Sequence, residues 1–178
     1  YVIYGSSTMI VYSTGVGVHG FTLDPTIGSF IHSHEAIRTP ERGRILSENE
    51  GTQSRWSEDI RAYGAYLKES DRASGRPYTS RYVGSLVVDF HRNMLYGGVY
   101  LYPPSEGRPQ GKLRLMCEAV PLAMVAENAG GYASDGRTNI LDLVPEDLHQ
   151  RTPLYIGSRD TVLWIEKEMA GMPDHTGL

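Results

Sequence analysis

From Leu115 to Ala126 the chain reads Leu-Met-Cys-Glu-Ala-Val-Pro-Leu-Ala-Met-Val-Ala, with Glu118 its one charged residue. A helix built from this run is apolar on nearly every side and has to be buried on nearly every side. At 178 residues the chain is long enough for such a core, since a domain of this size buries about two-thirds of the surface its unfolded form exposes. Glu118 is the anomaly: a carboxylate in that setting is costly unless a cation, a proton or hydrogen-bond donors compensate it. It calls for a basic partner, a metal or a catalytic role; the simpler reading is that it favours the positive end of its helix or pairs with a nearby arginine. Pro121 implies a kink, or a helix that begins near Val120 with Glu118 on its approach.

Composition narrows the class. The apolar fraction of 40% and net charge of −4 exclude a disordered chain, and no Lys/Arg cluster or basic tail points to nucleic acid as a partner. No long uncharged apolar run marks a membrane span or a signal peptide. The single cysteine, Cys117, has no internal disulfide partner, fits a reducing compartment such as the cytoplasm, and reads as a small buried hydrophobe. Twelve tyrosines against three phenylalanines suit a half-packed, half-polar surface such as a groove or a subunit interface. The start, Tyr1-Val-Ile-Tyr4, is apolar and β-prone and reads as cut from something longer.

Along the chain, Thr8–Tyr12, Val18–Leu23 and Ser29–Ser33 read as strands of a meander, with Gly15 and Gly17 forming a hairpin turn. A polar loop over 38–51 holds a short strand near Ile45. Ser57 starts a helix striped by Ile60, Tyr63 and Leu67, and a second helix follows Gly84-Ser85 as far as about Arg92. Val99–Tyr102 is a strand stopped by Pro103, and Lys112–Asn128 a third helix closed by Gly130-Gly131. Strands are expected near Tyr132, over Ile140–Leu143 and at Leu154–Ile156, then a helix over Arg159–Met169 and a flexible tail over 169–178. The pattern predicts one α/β (α+β-like) domain with one mixed β-sheet flanked by helices.

Several clusters carry chemistry. Lys112-Leu-Arg114 lies near Tyr100, Tyr102 and Arg108, and cations beside tyrosines are what a phosphate and a sugar hydroxyl face require; a solvated basic turn is the plainer alternative. Arg81-Tyr-Val-Gly-Ser85 leads into a helix, and its glycine would let backbone N–H groups approach an anion. His32 and His34 have strand spacing but no third ligand in register, and read as exposed edge residues.

Together these segments resemble the class I fructose-1,6-bisphosphatases, specifically their C-terminal half. The resemblance is carried by Tyr1-Val-Ile-Tyr-Gly-Ser-Ser-Thr-Met9, Phe21-Thr-Leu-Asp-Pro25, Ser47-Glu-Asn-Glu-Gly51, Arg81-Tyr-Val-Gly-Ser85, Tyr96-Gly-Gly-Val-Tyr-Leu-Tyr-Pro103, Gly111-Lys-Leu-Arg-Leu115, Ala129-Gly-Gly131 and His149-Gln-Arg151, in the family's order over residues 1–168. It implies the C-terminal domain of the sugar phosphatase fold over 1–168. It also implies Mg2+-dependent hydrolysis of the 1-phosphate of fructose 1,6-bisphosphate to fructose 6-phosphate and phosphate, a step of gluconeogenesis, with Mn2+ as an alternative ion. Asn49, Tyr82, Tyr102 and Lys112 would hold the 6-phosphate, with Arg81 reaching it from a neighbouring subunit of a homo-oligomer, a dimer or tetramer. Gly84, Ser85 and Leu86 would line the sugar with main-chain groups, Arg114 would add to the substrate site, and Glu118 falls on the family's metal-binding glutamate.

Departures from the family pattern occur at Cys117, Ala119 and Val120, and at Thr52, where eukaryotic members often have tyrosine. The family's other acidic metal ligands and its AMP site lie in its N-terminal half, and no part of this chain matches them. The resemblance therefore implies a partner half, and an isolated chain without phosphatase activity. A sedoheptulose or other sugar bisphosphatase, and a non-catalytic sugar-phosphate-binding module, are the competing readings.

Overall fold

The computed structural model describes residues 1–170. The expected tail therefore lies outside the described residues, save for its first two positions, which end the last helix. In chain order the elements are β1 (Val2–Ile3), β2 (Met9–Tyr12), β3 (His19–Asp24), β4 (Ser29–His34), β5 (Ile45–Ser47), α1 (Glu58–Lys68), β6 (Thr79–Ser80), α2 (Leu86–Tyr96) and β7 (Val99–Tyr102). Then follow β8 (Leu113–Arg114), α3 (Val120–Asn128), β9 (Tyr132–Ser134), β10 (Arg151–Thr152), β11 (Leu154–Gly157) and α4 (Arg159–Ala170). No helix among the described residues is long and apolar enough to cross a membrane.

The α/β class holds, but the strands divide among three sheets rather than one. The meander β1-β2-β3-β4 forms a four-stranded antiparallel sheet, because each turn is short enough for sequential strands to pair. A mixed five-stranded sheet has the order β6-β5-β7-β11-β9, and β8 pairs with β10 in a two-stranded ladder. The stretch Ile140–Asp142 is a 3-10 turn, not a strand; Asn139 caps it by accepting the Leu141 N–H.

The five-stranded sheet is covered on both faces, so β7 and β11 are buried runs without polar alternation. Tyr100, Leu154 and Ile156 face α2 and α3 with Phe90, Met94 and Leu122; Leu46, Val99, Leu101 and Tyr155 face α1 and α4 with Leu67, Val162 and Ile165. Val11 and Val18 join the first of these clusters, so α2 and α3 lie between the two larger sheets. Each fully buried aliphatic side chain here contributes about 1.5–3 kcal/mol.

Tyr1 fixes the meander to α2: its ring packs edge-on against Phe90 at 5.7 Å, and its hydroxyl lies 3.0 Å from His91 Nδ1. Burial, with His34 close by, pushes the His91 imidazole down from 6.5 to about 4. Between these values the unfolded chain binds a proton that the folded chain does not, so this contribution is complete above pH 6.5 and is lost as pH falls toward 4. Thermal midpoints of wild type and His91→Asn measured from pH 8 to pH 4 should therefore show a steeper acid loss in wild type; parallel curves would refute the linkage.

The third helix falls short of the expected span over 112–128 and takes the alternative that Pro121 implies, a start at Val120. Leu113 and Arg114 form β8, Leu115–Ala119 make one π-helical turn, and the α-helix starts only at Val120, with Pro121 in its first turn where a missing N–H costs nothing. The widened turn rotates the apolar run, so that Leu115, Ala119, Leu122, Ala123 and Ala126 face the core while Met116, Cys117, Pro121 and Met124 face outward. The run is thus buried on one side only. Cys117 is exposed rather than buried, and Glu118 is half-buried.

Candidate functional site

β5 and β7 run parallel, and a pocket of about 230 Å³ opens beyond their carboxyl ends, where strand termini splay and leave main-chain groups free for ligands. Asn49 follows β5, Tyr102 ends β7, and Lys112 comes from the end of the loop between β7 and β8; all three line the pocket. Thr52 donates from both its N–H and its hydroxyl to the Asn49 carbonyl, at 3.0 and 2.9 Å, closing the Glu50–Arg55 turn that forms one wall. The Glu106 N–H donates to Arg55 O at 2.8 Å and ties the opposite loop to that wall. Arg55, Arg108 and Lys112 face a single carboxylate, Glu106, so the lining favours an anion.

Behind the turn, Glu48 is buried and held by Lys68 Nζ at 2.6 Å and Gln53 Nε2 at 2.8 Å, which anchors Asn49 through its neighbour. The Tyr100 and Tyr102 rings stack at 6.1 Å, and Lys112 Nζ lies 5.6 Å from the centre of the Tyr102 ring. Tyr82 is 38% exposed; burial, then Tyr102 and Asp89, push its hydroxyl above the ordinary value.

The segment leading into α2 is organised by a residue that sequence reasoning missed. Asp89 is fully buried and accepts the N–H groups of Val83 and Gly84, each at 3.1 Å, while Arg92 Nη2 lies 2.6 Å from its Oδ1. The same guanidinium reaches Ser47 Oγ at 2.8 Å and Arg81 O at 2.7 Å. Gly84 N–H is therefore already occupied and is not free for an anion. Leu86 is half-buried against the core. Ser85 is the N-cap position of α2, with no hydrogen bond from its side chain to the helix. Arg81 is exposed and donates to its own neighbour, Ser80 O, at 3.1 Å. An acidic residue in the first helical turn after a Gly-Ser pair was the available signal for Asp89.

Arg114 is exposed and does not line the pocket. Its backbone N–H donates to Glu118 Oε2 at 2.7 Å, so the carboxylate reaches back over the first turn, the simpler of the two roles the sequence allows it. A hard divalent ion takes six or more oxygens, and no group of three His, Cys, Asp or Glu converges among the described residues. Glu118 can supply one such ligand; it does not make a metal site alone. Asn49, Tyr102 and Lys112 thus meet in one pocket, whereas Arg81, Tyr82, Gly84, Ser85, Leu86, Arg114 and Glu118 lie outside its lining.

Cations beside a tyrosine at the carboxyl ends of parallel strands make this an α/β protein with a pocket suited to a small anion. Residues 39–170 match the family model for the fructose-1-6-bisphosphatase C-terminal domain, and residues 1–35, the whole four-stranded meander, match that for the N-terminal domain. The chain belongs to the fructose-1,6-bisphosphatase family. It is 58% identical over 174 residues to a class 1 fructose-1,6-bisphosphatase of Chloroherpeton thalassium, covering 98% of this chain and 50% of that protein. The Chlorobium phaeovibrioides counterpart is 58% identical over 172 residues, 97% of this chain and 52% of that one. Leishmania major fructose-1,6-bisphosphatase in its T-state superposes with a TM-score of 0.91 at 43% identity, over 96% of this chain and 52% of that one. The chain spans about half the length of the curated relatives it matches.

Proposed function

We propose that this chain is the sugar-phosphate-binding part of a class 1 fructose-1,6-bisphosphatase that releases the 1-phosphate of fructose 1,6-bisphosphate, the reaction expected in gluconeogenesis. The reading rests on one observation: Asn49, Tyr102 and Lys112, brought from three separate segments, line a single cation-rich pocket. Lys112 and the tyrosine hydroxyls would grip the 6-phosphate and hold the sugar in one orientation, so that the 1-phosphate projects toward Glu118. Glu118 would give one oxygen ligand to Mg2+ or Mn2+, and the ion, once bound by further acidic residues of a longer protein, would polarise the phosphoryl group. Arg81, exposed and outside this pocket, would serve the site of a second copy in a homo-oligomer. The lone cysteine fits cytoplasmic residence.

Two substitutions in the full-length protein separate binding from chemistry. Lys112→Ala should weaken fructose 6-phosphate, measured by calorimetry, by roughly 10- to 100-fold, the loss of a charge-assisted hydrogen bond. Glu118→Gln should instead depress Mg2+-dependent turnover while fructose 6-phosphate still binds. Unchanged sugar-phosphate affinity in Lys112→Ala would overturn the assignment of the pocket.

A further inference from the structure

The His149-Gln-Arg151 motif has no part in the pocket lining, yet it lies directly behind Lys112. The Arg151 guanidinium donates through Nη1 to the Lys112 carbonyl. Around that bond, segment 111–115 is laid against 150–153 along its whole length. β10 pairs with β8, setting Arg151 opposite Arg114 and Thr152 opposite Leu113, and the Leu115 N–H donates to Gln150 O at 2.8 Å. Gln150 is itself fixed, its side-chain oxygen accepting the Glu146 N–H at 2.7 Å. At Gly111, where φ is +77°, a Cβ would sit 2.3 Å from Pro153 N, so the two backbones touch with no side chain between them.

Lys112 is exposed, and no carboxylate among the described residues pairs with its ammonium. What aims it is its main chain. Arg151 is also exposed and adds nothing to either apolar cluster, so its side-chain hydrogen bond is directed at the residue that faces the pocket.

We infer that Arg151 is a positioning residue: by holding the Lys112 carbonyl it keeps that ammonium over Tyr102 and turned to the bound anion. The identity of the ligand rests on the sugar-phosphate reading above; the anchoring itself does not. In the full-length protein, Arg151→Gln should weaken fructose 6-phosphate about tenfold, a factor set by one charged hydrogen bond. In a Lys112→Ala background the same change should cost less than about twofold, since two residues acting through one contact are not additive. Arg151→Lys should recover part of the loss, and amide exchange over 111–115 should quicken in Arg151→Gln with or without ligand.

Equal losses in both backgrounds would reduce Arg151 to a structural or general electrostatic role and overturn the inference while leaving the pocket assignment intact. If Lys112→Ala binds fructose 6-phosphate normally, the sugar-phosphate reading fails by itself, and the exchange measurement still decides the anchoring. Unchanged exchange over 111–115 would refute it.

Discussion

Replacing Asp89 by alanine should cost about 3–5 kcal/mol in urea unfolding, the range for breaking a buried ion pair by removing one member. The carboxylate is fully buried and serves three partners at once: the Val83 and Gly84 N–H groups and the Arg92 guanidinium. Without it two backbone donors lose their acceptor and an arginine that is mostly enclosed loses its counter-charge. Asp89→Asn keeps an acceptor for the N–H groups and should fall between wild type and alanine. Because Arg81 and Tyr82 are carried by the freed segment, sugar-phosphate affinity should decline alongside stability. A midpoint shift equivalent to less than about 1 kcal/mol would show that the network is not what holds this segment.

The second large effect is expected at Gly98. Its φ is +151°, and a Cβ would stand 2.4 Å from Ile45 O and 2.7 Å from Ile45 Cβ on the neighbouring strand. Ser158 pins it from the other side: its hydroxyl oxygen accepts the Gly98 N–H at 3.0 Å, and its backbone N–H donates to Gly98 O at 2.8 Å. Gly98→Ala must therefore push β7 away from β5, at a cost of roughly 4 kcal/mol or more. Gly107 is the control, with φ at +75° but open space for 4 Å around the position a methyl would take, so Gly107→Ala carries only the backbone strain, about 1 kcal/mol. Circular dichroism melts of the two variants compare them directly. Similar melts would mean that the strand contact at Gly98 is not what constrains the position.

Much of this was legible in the sequence. Val99–Tyr102 and Leu154–Ile156 are apolar runs bounded by Gly or Pro, which only a strand covered on both faces explains, and Ser57 marks the start of α1 one residue ahead of its first turn. The meander was readable because its partners are sequence neighbours. The β8–β10 ladder was not, since it joins segments nearly forty residues apart and each contributes only two positions.

Cys117 was misplaced for a different reason, whereas Glu118 stands where Pro121 implied, on the approach to a helix that begins at Val120. A periodicity argument assumes an α-helical pitch, and the π-turn at Leu115–Ala119 alters the pitch just where Cys117 stands. Asn49, Tyr102 and Lys112 were found through motif order, whereas Asp89 looked like an ordinary polar residue on a helix. Its burial follows from the segment folding over it, which no local pattern records.

The Arg92 guanidinium bonds at once to Ser47 at the end of β5, to the main chain of Arg81 and to Asp89 in α2. Ser47 lies two residues before Asn49. A single planar group therefore joins the exposed segment that carries Arg81, the first turn of α2 and the strand that leads into the pocket wall.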